Sequence, residues 1–161
     1  QLVNVVFGTW IEDSFGIQLA ALAVAAAVIG ASELGGEGIV AAFADRFGKR
    51  RLVLVGVGGS ILTCLLLPLT GSSLTTALIG LFLFYITFEL SLVASIPLMT
   101  ELSPQSRAMY MTVIATSFTV GRALVTPFAP ALFSVGIFAN CLLAALNLIA
   151  FVVVWKLISV K

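Results

Sequence analysis

The chain has 161 residues, 61% of them hydrophobic and only 9% charged, with a mean hydropathy of +1.21. That composition cannot supply the charged surface of a water-soluble domain, so a lipid bilayer is the solvent that suits it. The net charge of +1 says nothing about nucleic acid, because the basic residues punctuate apolar runs, and no nucleic-acid partner is expected. There is no histidine, and Cys64 and Cys141 each lie inside an apolar run. No metal or haem ligand set can be assembled, no cofactor is expected, and the cysteines read as small buried hydrophobes.

Crossing ~30 Å of hydrocarbon takes about 20 apolar residues in a helix. Residues 1–10 are apolar but only half a span long, and read as the tail of a helix whose beginning lies outside this sequence. Glu12, Asp13 and Ser14 mark the turn after this stub. Five runs then qualify or nearly qualify as spans: 17–44, 52–69, 74–99, 108–133 and 137–157. Turn-forming residues fill the gaps, including Gly71 with its serine neighbours at 70–73 and Pro104 within 100–107. Connections this short force antiparallel neighbours, so the expected fold is an all-α polytopic transmembrane helical bundle, a single domain of five full spans and a partial one.

Seven of the eight Lys/Arg residues fall on one side of this threading: Arg46, Lys49, Arg50, Arg51, Arg107, Lys156 and Lys161. The opposite loops hold only Glu12 and Asp13, so the basic face is expected to be cytoplasmic. Trp10 and Trp155 fall at helix ends, where indole suits a membrane interface. Four of the basic residues crowd into the segment from Ala41 to Arg51, a charged turn that bears Gly48 between two apolar runs.

That segment resembles the cytoplasmic-loop signature of the major facilitator superfamily, G-x-x-x-D-R-x-G-[RK]-[RK]-[RK]. Asp45, Arg46, Gly48, Lys49, Arg50 and Arg51 match, while Ala41 stands where the pattern has glycine. A second segment, Glu101, Pro104 and Arg107 followed by Ala108, is similar to the E-x-x-P-x-x-R-[GA] loop found later in each half of these proteins. The resemblance covers the whole chain. The incomplete first motif and a chain ending just past the last span favour a carboxyl-terminal half, although an amino-terminal half also fits the pattern. It implies six helices in two inverted trios, an absent amino-terminal half as partner, and a loop that latches the halves in one of two alternating states. Without the family, Asp45 has the chemistry to cap backbone N–H groups at a neighbouring helix end. Gly48 allows the positive φ of a tight reversal.

Ionisable residues inside a span each cost roughly 2.5–3.5 kcal/mol on insertion scales, so they are expected to face a wet cavity or one another. Counting 1.5 Å per residue from the basic side places Glu33 and Glu89 about 15–17 Å deep, Arg122 about 21 Å and Glu37 about 10 Å. Glu33, Glu89 and Arg122 are therefore expected to meet near the midplane. Thr112, Thr116, Thr119, Arg122 and Thr126 form a polar stripe on one face, and Tyr85 lies one turn from Glu89 on the same face. Two readings remain open: a purely structural buried pair, or a site where a glutamate binds a proton or cationic solute. A surplus carboxyl in low dielectric favours its neutral form, which suits a proton carrier, with Glu89 first and Glu33 second.

The expected function is therefore half of a secondary active transporter working by alternating access. By resemblance it is a proton-coupled efflux antiporter for a small organic solute such as a drug or sugar, in a bacterial inner membrane. No enzyme chemistry is expected. The alternative is a membrane scaffold or sensor with this architecture that moves nothing.

Overall fold

A computed structural model describes residues 2–16, 19–101 and 104–158. Of the positions assigned above, Gln1, Ile17 and Lys161 lie outside the described residues. Seven α-helices follow in order: α1 Leu2–Phe15, α2 Leu19–Phe47, α3 Lys49–Leu66, α4 Leu74–Glu101, α5 Arg107–Val125, α6 Phe128–Phe133 and α7 Ile137–Ile158. The described residues contain no strand, and α2, α3, α4, α5 and α7 are each long and apolar enough to cross a bilayer. The fold is the expected all-α transmembrane bundle.

The helix ends show which residues break the pattern. The stub is longer than its apolar part: α1 runs through Glu12, Asp13 and Ser14, none of which forbids a helix. It stops at Gly16, whose φ of 78° and N–H bond to Glu12 O (2.9 Å) form a glycine C-terminal cap. The charged segment is likewise mostly helix rather than loop. Asp45 and Arg46 close α2, and Lys49, Arg50 and Arg51 open α3, with Gly48 alone between the two helices. Gly48 has φ 86° and ψ 129°, a conformation an L-side chain would resist.

At the other side of the bundle, α3 tightens into a 3-10 turn over Leu67–Thr70, with Pro68 in its first turn. A reciprocal cap then starts α4: Thr76 N–H donates to Ser73 Oγ and Ser73 N–H to Thr76 Oγ1, both at 3.2 Å. The run expected as one span at 108–133 is two helices, α5 and α6, separated at Thr126–Pro127. Pro127 has no N–H with which to continue the hydrogen-bond ladder. Pro97, by contrast, sits inside α4 without interrupting it.

The most extensive packing is α3 on α4 and α2 on α4, then α7 on α3; α1 and α6 pack together against α7. Two larger apolar clusters hold this together, beside a smaller one of Leu2, Val6 and Ala129. One joins Trp10, Ile11, Cys64, Leu67, Leu81, Phe84 and Cys141; the other joins Val40, Leu52, Val53, Val57 and Leu90. Both cysteines are free and buried, as expected of packing residues. Trp10 is 5% exposed within the first cluster, and its ring lies beside Gly71 in the turn before α4, so it packs against protein near an end of the bundle. Many large apolar side chains point outward, and α5 buries none of its residues. Such a surface needs lipid or protein around it rather than water.

Candidate functional site: a carboxylate cluster at the α2–α4 crossing

The approach of α2 to α4 is set by Gly36. A Cβ built there would lie 2.8 Å from the Cβ of Glu89 and 3.2 Å from Ile86 O and Leu90 N. Only a residue without a side chain lets the two backbones come this close. Glu33 and Glu37, one turn apart, flank Gly36 on α2 and are exposed, while Glu89 on α4 is half-buried. Both α2 carboxylates lie within electrostatic reach of Glu89. No Lys or Arg among the described residues forms an ion pair with any of the three.

Tyr85, one turn before Glu89, is buried, and its hydroxyl donates to Asn4 Oδ1 on α1 at 2.8 Å. A polar seam thus runs from Asn4 on α1 through Tyr85 and Glu89 on α4 to Glu33 and Glu37 on α2.

Arg122 is not part of it. The guanidinium is exposed on α5 and is in no ion pair among the described residues, so the expected meeting with Glu33 and Glu89 does not form. The reason is lateral: α2 packs on α4, whereas α5 packs on α4 and α6 but not on α2. Similar depth along separate helices does not bring side chains together. The threonine stripe is exposed, and Thr112, Thr119 and Thr126 donate to the carbonyls of Ala108, Ala115 and Arg122 in their own helix.

A second polar cluster sits at the Gly48 end of the bundle. Lys49 Nζ donates to Glu101 Oε1 in an ion pair that ties the start of α3 to the end of α4. The Arg50 guanidinium lies 5.8 Å from the centroid of the Trp155 ring, fixing α3 to the end of α7. Each charge of the first pair opposes the dipole of its own helix: a cation at an N-terminus, an anion at a C-terminus. Pairing across the helices offsets both penalties. The cap expected from Asp45 is not made, since Gly48 occupies the N-cap of α3 and no side chain bonds there. Asp45, Arg46, Arg51 and Arg107 are exposed and in no ion pair among the described residues; Pro104 opens a 3-10 turn ahead of α5.

Two amides went unnoticed in the sequence. Asn4 completes the Tyr85 contact. Asn140 is fully buried on α7 and donates from Nδ2 to Ala129 O (2.9 Å) and Leu2 O (3.4 Å), linking α7 to α6 and α1. The signal available was an amide within an apolar run, a pattern typical of interhelical contacts in membranes, although Asn147 in the same helix bonds only to Leu143 O of its own helix.

The whole chain, residues 1–161, matches the family model described as Major Facilitator Superfamily. No curated protein and no solved structure gives a match.

Proposed function

Because the chain belongs to the Major Facilitator Superfamily, a family of membrane transporters, we propose that it is part of a secondary transporter in which Glu89 carries the coupling proton. Membrane transport of a small molecule follows from the family. The finer reading is efflux of a small organic solute by alternating access, in exchange for protons, in a bacterial inner membrane with the Arg-rich end cytoplasmic. An amino-terminal half would complete the path.

The observation that carries the proton assignment is the crowding of Glu33, Glu37 and Glu89 around Gly36 without a basic partner. Three like charges in reach of one another favour uptake of a proton by the least solvated of them, and that one is Glu89. Glu33 and Glu37, being exposed, are placed to hand the proton to water or to meet a cationic solute. Tyr85 positions α4 through Asn4. Thr119 and Arg122, on a different helix face, belong to the solute path or to the surface that meets the other half. Asp45, Arg46, Lys49, Arg50 and Arg51, with Glu101, Pro104 and Arg107, form the latch that holds one access state.

The test is Glu89→Gln in reconstituted full-length protein. It is expected to abolish flux driven by a pH gradient while leaving expression, insertion and counterflow exchange of solute intact. Wild-type proton-driven flux from this variant overturns the assignment.

A further inference from the structure

A sizeable cavity among the described residues lies away from the carboxylates. It measures about 560 Å³ and is lined by α3, α4, α5 and α7, including Val53, Phe88, Tyr110, Val113, Phe118 and Phe151. That volume falls within the range of about 300–1,000 Å³ that ligand sites occupy. The cavity exists because α5 packs along α4 and α6 while α3 and α7 face it across a gap.

Its chemistry is almost wholly aliphatic and aromatic. Ser91 and Ser95 line it, but their hydroxyls already donate to Phe88 O (2.7 Å) and Leu92 O (2.6 Å) in their own helix. Tyr110 and Ser117 are the remaining polar lining groups. Several walls are open to the bilayer, with Val113 56% and Phe118 46% exposed.

Position along the bundle selects the occupant. On α5 the lining residues Tyr110 to Phe118 lie about 4–17 Å from the Arg107 end, the depth of the acyl chains of one leaflet. Arg107 is on the same helical face, three residues before Tyr110 and seven before Ile114, and has no ion-pair partner among the described residues. An apolar slot with an unpaired guanidinium at its membrane-surface end complements a molecule with an aliphatic chain and an anionic head. We propose that this cavity holds an acyl chain of an anionic phospholipid from the leaflet on the Arg107 side, with the lipid phosphate on Arg107.

The proposal is independent of the proton assignment, since no carboxylate lines the cavity. It is tested by photo-crosslinking in nanodiscs of the full-length protein. The probes are trace phosphatidylglycerol or phosphatidylcholine with a diazirine in the acyl chain, and adducts are mapped by peptide mass spectrometry. Adducts are expected to concentrate at Val113, Ser117 and Phe118 over Val120 and Val154, which are exposed but outside the cavity, and to saturate with lipid. Phosphatidylglycerol is expected to label these positions roughly fivefold more than phosphatidylcholine, the effect of one basic residue at a membrane surface. Arg107→Gln should remove that preference, and Ser117→Phe, or Val113→Phe if the first fails to fold, should remove the saturable labelling. Equal labelling of Val113 and Val120 overturns the proposal, as does saturable labelling without head-group preference. So does a lipophilic solute that displaces the lipid adducts and crosslinks there itself with no dependence on Arg107.

Discussion

Gly36 on α2 and Glu89 on α4 are in direct apposition, so close that a methyl group at position 36 would sit 2.8 Å from the Glu89 Cβ. The three nearest atoms to that position are the Glu89 Cβ and the backbone atoms Ile86 O and Leu90 N, none of which can swing aside. Gly36→Ala is therefore expected to push the helices apart, at a cost of about 1–3 kcal/mol. Gly38, two residues on, has nothing within 4 Å of a built Cβ. Gly38→Ala should leave stability unchanged or raise it by up to about 1 kcal/mol through helix propensity. Thermal unfolding of both variants in detergent separates the two cases, and only Gly36→Ala should also impair flux.

The Lys49–Glu101 pair is partly exposed, so its removal should cost little. Its arrangement on the helix dipoles leads to a less obvious outcome. Glu101→Lys alone sets two cations against each other and should lower the melting temperature. The exchanged double variant Lys49→Glu/Glu101→Lys restores the pair and also puts each charge at the favourable end of its helix. It should be at least as stable as wild type. The spread among the three proteins should narrow as salt rises toward 1 M, where screening falls to about 3 Å. Melting curves across a salt series measure both effects.

The spans were legible because apolar run length and turn residues act locally. Gly48 and Pro104 declared their reversals, and the motifs around Asp45 and Glu101 pointed to the family without any tertiary information. What stayed hidden was lateral. Counting residues gave Arg122 a depth similar to Glu89, but depth is one coordinate of three, and helix order around the bundle decides which side chains meet. The split at Pro127 does not show in run length, for the opposite reason. Its apolar neighbours continue the hydrophobic run, and hydropathy does not register a missing N–H. The length of α1 was hidden because the polar Glu12–Ser14 segment reads as a turn, although it carries nothing that breaks a helix.

Asn140 gives a sharper test of how polar groups act in this bundle. Its Nδ2 makes two interhelical contacts, while its buried Oδ1 has no hydrogen-bond partner among the described residues. Asn140→Leu loses contacts of about 0.6–1.7 kcal/mol but also removes an orphaned acceptor that costs about 1–3 kcal/mol. The substitution should be close to neutral. Asn140→Asp replaces the donor with an oxygen facing two carbonyl oxygens in apolar surroundings, and should destabilise by more than about 2.5 kcal/mol. Unfolding of the two variants side by side is the measurement, and an equal loss in both would show that Oδ1 has a partner in the membrane.

Tyr85 and Glu89 are one turn apart on α4, yet their roles should separate. The Tyr85 hydroxyl is committed to Asn4 across the α1–α4 contact, so its removal weakens that contact. Tyr85→Phe and Asn4→Leu should each lower stability by about 0.6–1.7 kcal/mol, and the double variant should lose little more than either single one. Proton-driven flux should survive Tyr85→Phe, since the phenol does not have to exchange a proton for α1 and α4 to stay aligned. Loss of coupling with unchanged stability would move Tyr85 into the proton path, because a purely positioning hydroxyl must register in the unfolding curve first.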